Sequence, residues 1–326
     1  MSSIYLTSTY YHVLISCVKQ LIEKRRDCDI AITSYISCGE YLTQRLKDSG
    51  LFRRAFYTGD ISEYVPKSRL DYIFNQHRKN AAHIESQGFS LSGYEDISIY
   101  HDDTWFAHYI KDKRLPYHLI EDALDIYKFI ENTKFVYMVP HKSLKLTLKS
   151  ITRIGYMPLF CDQCMITAEV NEINGISFAG FAGNRLKEIP RHTLFSALTD
   201  NDKAALCHIF LPHGIPEISE DSVLVITQPL FEDGVVDSME EQINVYKSLI
   251  QQYASSKSVV IKPHPRDNGD YSRISTDTVI LDKNLPVEIL TICLQGRFDK
   301  AITMFSSAIS AIEANEKIII RPDLFK

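Results

Sequence analysis

The sequence predicts an α/β protein with two parallel, helix-covered sheets, and three observations carry that expectation. The chain opens with a strand at residues 4–7, a helix from Tyr10, a strand at 29–33 and a helix at 40–48 that Gly50 ends. The same alternation restarts at residues 222–227 with a second strong strand, helix and strand. Between the two runs lies Leu211-Pro212-His213-Gly214-Ile215-Pro216, a stretch of breakers that reads as a linker. Strands alternating with helices make parallel sheets, because a parallel pair needs a crossover and a helix supplies it. The domain boundary is placed within 195–220, giving domains 1–205 and 206–326.

The length of 326 residues accommodates two domains of ordinary size. A net charge of −5 gives no global basic field for nucleic acid. No apolar run reaches the ~18 residues of a membrane span, and the start, Met1-Ser2-Ser3-Ile4-Tyr5-Leu6, has no charged segment ahead of an apolar core. The seven cysteines are scattered and odd in number, which fits a reduced, cytoplasmic protein. Cys161-Asp162-Gln163-Cys164 is a single CxxC with no second pair or histidine at zinc spacing, so no metal site is expected there.

The helix after the first strand carries Val13, Leu14, Cys17, Val18, Leu21 and Ile22 on one face. The turn that starts it, Thr7-Ser8-Thr9-Tyr10, offers hydroxyls and helix-terminal amides to a ligand. An ordinary helix cap is the other reading. Residues 60–95 are charged and read as helical. A strand at 96–100 then runs into His101-Asp102-Asp103-Thr104, where the acidic pair suits a cap better than a divalent metal. A further strand closes at Leu119-Ile120. Glu121 and Asp122 follow at its carboxyl end, where either serves as a general base if its surroundings raise its pKa; acidic residues complementing a helix N-terminus are the other reading. Residues 142–153 are basic and amphipathic and read as a solvated face. Residues 175–183 are glycine-rich without the spacing of a phosphate loop.

In the second half, residues 222–227 form a buried strand followed by the loop Gln228-Pro229-Leu230-Phe231-Glu232-Asp233-Gly234. Ser238-Met239-Glu240-Glu241 is a capping box, and its helix places Ile243, Tyr246, Leu249, Ile250 and Tyr253 on one side. Val259-Val260-Ile261 then ends in Lys262-Pro263-His264-Pro265-Arg266-Asp267. Both prolines fix φ, so His264 is presented on a stiff backbone between two cations. Strands at 278–281 and 300–303 follow. After the latter, Ser306 and Ser307 open a helix rich in small residues, a cradle for phosphate or carboxylate. A last strand covers 317–321.

This ordered set resembles the bacterial sialyltransferases of glycosyltransferase family 52. Those share an acidic motif, a His-Pro motif and a Ser-Ser/Thr motif, matched here by Glu121-Asp122-Ala123, His264-Pro265 and Ser306-Ser307. Leu6-Thr7-Ser8-Thr9-Tyr10-Tyr11-His12-Val13-Leu14 and Thr227-Gln228-Pro229-Leu230 are similar as well. One position departs: Ala123 stands where the family has glycine, which narrows a close approach or signals another acceptor or donor.

The resemblance implies a GT-B fold, two Rossmann-like domains facing a central cleft. It implies inverting, metal-independent transfer of sialic acid from CMP-sialic acid to a hydroxyl of a terminal sugar, galactose in the family, on a bacterial surface glycan. The residues it implies are Asp122 as base with Glu121 beside it, and Asp233 of the literal Glu232-Asp233-Gly234 as the alternative base. His264 assists the leaving CMP. Lys262, Pro265, Arg266, Ser306, Ser307 and Gln228 bind the donor, and Thr7, Ser8, Thr9 and Tyr10 face the acceptor. No cofactor or metal is implied. The expected setting is the cytoplasm at the inner face of the membrane, compatible with peripheral membrane association and with a homodimer. Two alternatives stand beside it: a relative using a UDP-hexose or another CMP-keto sugar, and a non-catalytic sugar-binding protein.

Overall fold

The computed structural model describes residues 2–65, 67–101, 104–120, 163–166, 186–214, 217–219, 221–255, 257–274, 278–294 and 297–320. Glu121, Asp122, Asp102, Asp103 and the stretches 142–153 and 175–183 lie outside them. The chain divides into two compact units, Met1–Asp202 and Lys203–Lys326.

The first unit holds a seven-stranded, all-parallel sheet. In chain order its strands are β1 (Ser3–Thr7), β2 (Cys28–Ile32), β3 (Arg54–Tyr57), β4 (Asp96–Ile99), β5 (His118–Ile120), β6 (Gln163–Ile166) and β7 (Leu186–Glu188). They lie in the order β3-β2-β1-β4-β5-β6-β7. Helices α1 (Tyr10–Glu23), α2 (Gly39–Ser49), α3 (Arg69–Ser86), α4 (Trp105–Lys113) and α5 (Arg191–Ser196) belong to the same unit, and α6 (Asp200–Phe210) leads into the next. The sheet order reverses direction at β1/β4, the topological switch point where ligands of doubly wound sheets bind. Every residue of β1 and β2 is buried, as strands covered on both faces require. Gly50 ends α2 at φ +62°, the left-handed cap that glycine adopts without penalty.

At the amino end of this sheet, Asp29 is fully buried and anchors the β2–β3 edge. It accepts from Arg53 Nε (2.8 Å) and Nη2 (2.7 Å), Arg54 Nε (3.0 Å) and Nη2 (2.7 Å), and the Tyr94 hydroxyl (2.7 Å). Burial pushes this carboxyl up, but the hydrogen bonds from Arg53, Arg54 and Tyr94 outweigh it and hold the pKa at about 2. A carboxyl depressed on folding contributes stability above its unfolded pKa and loses it as pH falls through the folded one. Acid titration of the fold between pH 4 and 2 is therefore expected to show this loss. Asp29→Asn should remove that slope and cost roughly 2 kcal/mol at neutral pH, read by urea unfolding at pH 7 and pH 3.

The second unit holds a five-stranded parallel sheet. Its strands are β8 (Val223–Ile226), β9 (Val259–Lys262), β10 (Thr278–Ile280), β11 (Phe298–Met304) and β12 (Ala314–Ile320). Their order is β10-β9-β8-β11-β12, so the reversal falls at β8/β11. Helix α7 (Met239–Tyr253) begins at the expected box. Ser238 Oγ accepts from Glu241 N (3.1 Å), while the Glu241 carboxylate accepts from Asp237 N (2.8 Å), one residue earlier than the reciprocal bond of the motif. Ile243, Tyr246 and Leu249 are buried as the periodicity requires. They pack with Val223, Val225, Ile261 and Ile302 from the sheet.

Two expectations are corrected here. The cysteines are not all thiols: Cys207 on α6 and Cys293, the last residue of α8 (Glu288–Cys293), form a disulfide with Cα atoms 6.0 Å apart. Their separation of 86 residues left no pairing signal in the sequence. The segment after Ser306 is not a long helix but a 3-10 turn, Ser307–Ala311, and the last strand begins at Ala314, earlier than the sequence suggested.

Candidate active site

Three loops leave the carboxyl end of the second sheet on neighbouring strands. Thr227-Gln228 follow β8, His264 to Asp267 follow β9, and Phe305-Ser306 follow β11. With strands ~4.8 Å apart, the exits of β9 and β11 are roughly 10 Å from each other across β8. This is the switch point of the sheet, and it collects most of the residues predicted to hold the donor.

His264 is half-buried and oriented from three directions. Its backbone N–H donates to Thr227 Oγ1 (3.2 Å), its carbonyl accepts from Asp267 N (2.9 Å), and its Nδ1 accepts from Arg266 N (3.1 Å). An Nδ1 that accepts carries no proton, so the neutral ring bears its hydrogen on Nε2. Burial lowers the His264 pKa below 6.5, and the charges of Arg266 and Lys262 add to that. The ring is thus a neutral Nε2–H donor at neutral pH.

Lys262 is 4% exposed and points inward. Its Nζ donates to the carbonyls of Pro263 (2.6 Å) and Lys283 (3.0 Å). Burial pulls its pKa down to about 8. In this arrangement the lysine ties the His264 loop to the loop after β10. Arg266 makes a two-pronged pair with Asp233, Nη1–Oδ1 2.8 Å and Nη2–Oδ2 3.3 Å. Both oxygens of the alternative base are thereby engaged. Asn268 Nδ2 donates to Glu232 Oε1 (3.0 Å), docking the Glu232-Asp233 loop onto the same turn. Pro265 is exposed. Gln228 is held through its backbone, where N–H donates to the Tyr246 hydroxyl (2.5 Å) and the hydroxyl donates to its carbonyl (3.2 Å). Ser306 caps the 3-10 turn by accepting from Ala308 N (3.3 Å), which leaves its hydroxyl proton to donate. Ser307 opens that turn.

Beneath the loop lies a network that the sequence reading did not assign. Asp267 is 2% exposed. It accepts from Thr227 Oγ1, Gln242 Nε2 (2.8 Å), the Tyr271 hydroxyl (2.7 Å) and Gly269 N (2.8 Å). Gln242 also donates to the Tyr271 hydroxyl (3.0 Å) and accepts from Phe231 N (2.8 Å). Thr227 spends its one proton on Asp267, so its oxygen is an acceptor for the His264 N–H. The available signal was an aspartate following a rigid His-Pro turn, with Gln242 on the inner face of α7.

In the first unit, Thr7 ends β1 at the switch point, Ser8 and Thr9 form the turn, and Tyr10 starts α1. Thr7 Oγ1 donates to Ala31 O (2.8 Å), and Thr9 Oγ1 accepts from His12 N (3.2 Å) as the helix cap. Ser8 N donates to His12 Nδ1 (3.1 Å) and the Tyr10 hydroxyl to Ser37 O (3.0 Å). His12 stacks on Tyr100, which follows β4, at 4.4 Å. Ser8 and Thr9 thus hold the turn to His12, while Thr7 and Tyr10 tie it to β2 and the segment that follows β2. No group of three or more candidate metal ligands occurs among the described residues. No helix among them is long and apolar enough to cross a membrane.

Residues 163–321 match the family model "Glycosyltransferase family 52". The resemblance to family 52 holds. The matched stretch contains β8 to β12 and with them His264, Ser306 and the Asp267 network. An uncharacterized protein of Haemophilus influenzae is 46% identical over 85 residues, 26% of this chain and 27% of that protein. The chain thus spans about a quarter of the curated relative it matches. Among solved structures, the α/β-galactoside α-2,3-sialyltransferase of Photobacterium phosphoreum superposes with a TM-score of 0.56 at 12% identity, covering 97% of this chain and 90% of that one. The GT-B domain of the Photobacterium damselae sialyltransferase gives 0.56 and 12%, covering 97% and 89%. The fold of the chain is therefore of GT-B type, two parallel α/β sheets, as the sequence predicted.

Proposed function

We propose that this protein is an inverting sialyltransferase that takes sialic acid from CMP-sialic acid and attaches it to a hydroxyl of a terminal sugar, galactose being the expected one, on a bacterial surface glycan. The observation that carries the reading is the hydrogen bond from Arg266 N–H to His264 Nδ1, inside the stretch matched by family 52. A neutral imidazole with Nδ1 already occupied carries its hydrogen on Nε2, on a half-buried ring just past the end of β9. That is the donor a departing phosphate needs.

In this reading the bond between the donor's anomeric carbon, C2 of sialic acid, and the phosphate oxygen breaks as the sugar becomes oxocarbenium-like. His264 Nε2–H hydrogen-bonds the CMP phosphate that takes the electron pair, and the Ser306 and Ser307 hydroxyls bind the same phosphate. The acceptor oxygen forms the new bond at the opposite face, which inverts the anomeric centre, and its proton goes to Asp122. The two-pronged pairing of Asp233 with Arg266 favours Asp122 over Asp233 as that base. CMP leaves as a monophosphate, so the chemistry calls for no metal to neutralise a diphosphate.

The test is thermal-shift binding of CMP, UMP and UDP with EDTA present. A ligand at 100 times its Kd, bound only by the native state, adds about 2.7 kcal/mol of apparent stability. CMP should stabilise the protein selectively without metal, and CMP-sialic acid should yield CMP faster when a galactoside acceptor is added. Stabilisation by UDP instead would overturn the donor assignment. No response to any nucleotide would favour the sugar-binding alternative.

A further inference from the structure

Phe305 is the residue directly after β11, at the switch point of the second sheet, and it breaks two rules at once. Its φ is +53°, the left-handed region that bulky side chains avoid. Its side chain is not buried to compensate, since Phe305 is 40% exposed. The packing in this segment is done by its neighbours, Met304 at 1%, Ile309 at 3% and Ile312 at 2%. Thr303 Oγ1 donates to Ile226 O (2.9 Å) and locks the end of β11 to β8, so the kink at 305 is held by the frame around it. Glycine or asparagine is the ordinary occupant of such a kink. An exposed aromatic in a strained backbone at the ligand-binding end of a sheet is explained by what its ring meets.

We propose that the Phe305 ring is the stacking platform for the pyrimidine base of the nucleotide donor. This rests on the donor reading given above and adds a residue to it. The position fits: Ser306, which follows immediately, takes the phosphate in that reading, and Gln228 leaves the neighbouring strand. A base stacks on an aromatic face with a preference for the face itself, not for apolar bulk. Strain at 305 is then the cost of placing a ring where the fold would prefer a glycine.

The experiment is calorimetric titration of CMP into wild type, Phe305→Gly, Phe305→Leu and Phe305→Trp, with the melting temperature of each. Glycine takes φ +53° freely, so Phe305→Gly should melt at or above the wild-type temperature while its Kd for CMP rises at least ~10-fold. Phe305→Leu should weaken CMP to a similar degree, and Phe305→Trp should stay within about threefold of wild type. A CMP affinity unchanged in Phe305→Gly overturns the proposal, as does full affinity in Phe305→Leu. A melting temperature lowered by several degrees in Phe305→Gly would make Phe305 a packing residue and overturn it too. A wild type that binds no CMP overturns the donor reading itself, and the stacking role with it. Wild-type binding unaffected by the substitutions overturns the stacking role alone.

Discussion

His264→Ala is expected to lower the rate of sialyl transfer at least ~10²-fold while leaving the fold intact. The side chain contributes one hydrogen bond to its surroundings, Nδ1 accepting from Arg266 N. Its backbone bonds to Thr227 and Asp267 survive truncation. The loss therefore falls on the leaving phosphate, whose developing charge would have no Nε2–H to meet it. The effect should appear in kcat more than in donor KM, because the hydrogen bond strengthens as charge builds up in the transition state. A rate within threefold of wild type would remove His264 from the chemistry.

The same residue gives a pH profile with a definite sign. Protonation puts a hydrogen on Nδ1, directly facing the Arg266 N–H that it now accepts. Burial, with Arg266 and Lys262 nearby, keeps that from happening until the pH is below the ordinary histidine range. Activity should hold across neutral pH and decline only below ~6.5. Stability should follow, since below the ordinary pKa the unfolded chain binds a proton that the folded one resists. His264→Ala should flatten that part of the stability profile.

The fold was legible because its signals are local. β8 and β9 are short runs of Val, Ile and Leu bounded by breakers, and α7 combines a capping box with a clean apolar face. The same holds for His264, whose flanking prolines announce a stiff turn. What escaped was long-range. The use of Lys262 to tie two loops, the pairing of Arg266 with Asp233 across 33 residues and the convergence of Thr227, Gln242 and Tyr271 on Asp267 depend on which loops the sheet order brings together. Both cations stand beside the histidine in the sequence, but the protein groups each one meets are set by the loops that the sheet order brings together. The Ser306 segment misled for a different reason: the strand at Ala314 follows closely, so no long helix fits between it and Ser306, and the serines at 306, 307 and 310 favour caps and turns over a helix interior. The disulfide between Cys207 and Cys293 belongs to the same class of long-range fact.

Asp267→Ala should be the more damaging substitution for stability, by about 3–5 kcal/mol. The carboxylate gathers two hydroxyls, an amide and a backbone N–H in a place that water does not reach, and alanine leaves all four donors without their acceptor. Asp267→Asn is the informative partner. Its carbonyl oxygen still accepts from Gln242 and Gly269. Its amide faces the hydroxyls of Thr227 and Tyr271, which rotate to accept, so the expected cost is about 1–2 kcal/mol. Rotation of Thr227 matters for function as well. With its proton no longer drawn to a carboxylate, its oxygen is a poorer acceptor for the His264 N–H, and the histidine loop loses one of its three anchors. Urea unfolding of the two variants beside wild type measures the stability difference, and turnover of the folded Asp267→Asn protein measures the consequence at His264. If Asp267→Ala unfolds within 1 kcal/mol of wild type, the side-chain network does not hold the loop, and the orientation of His264 rests on its two prolines and on the backbone N–H groups of Arg266 and Asp267.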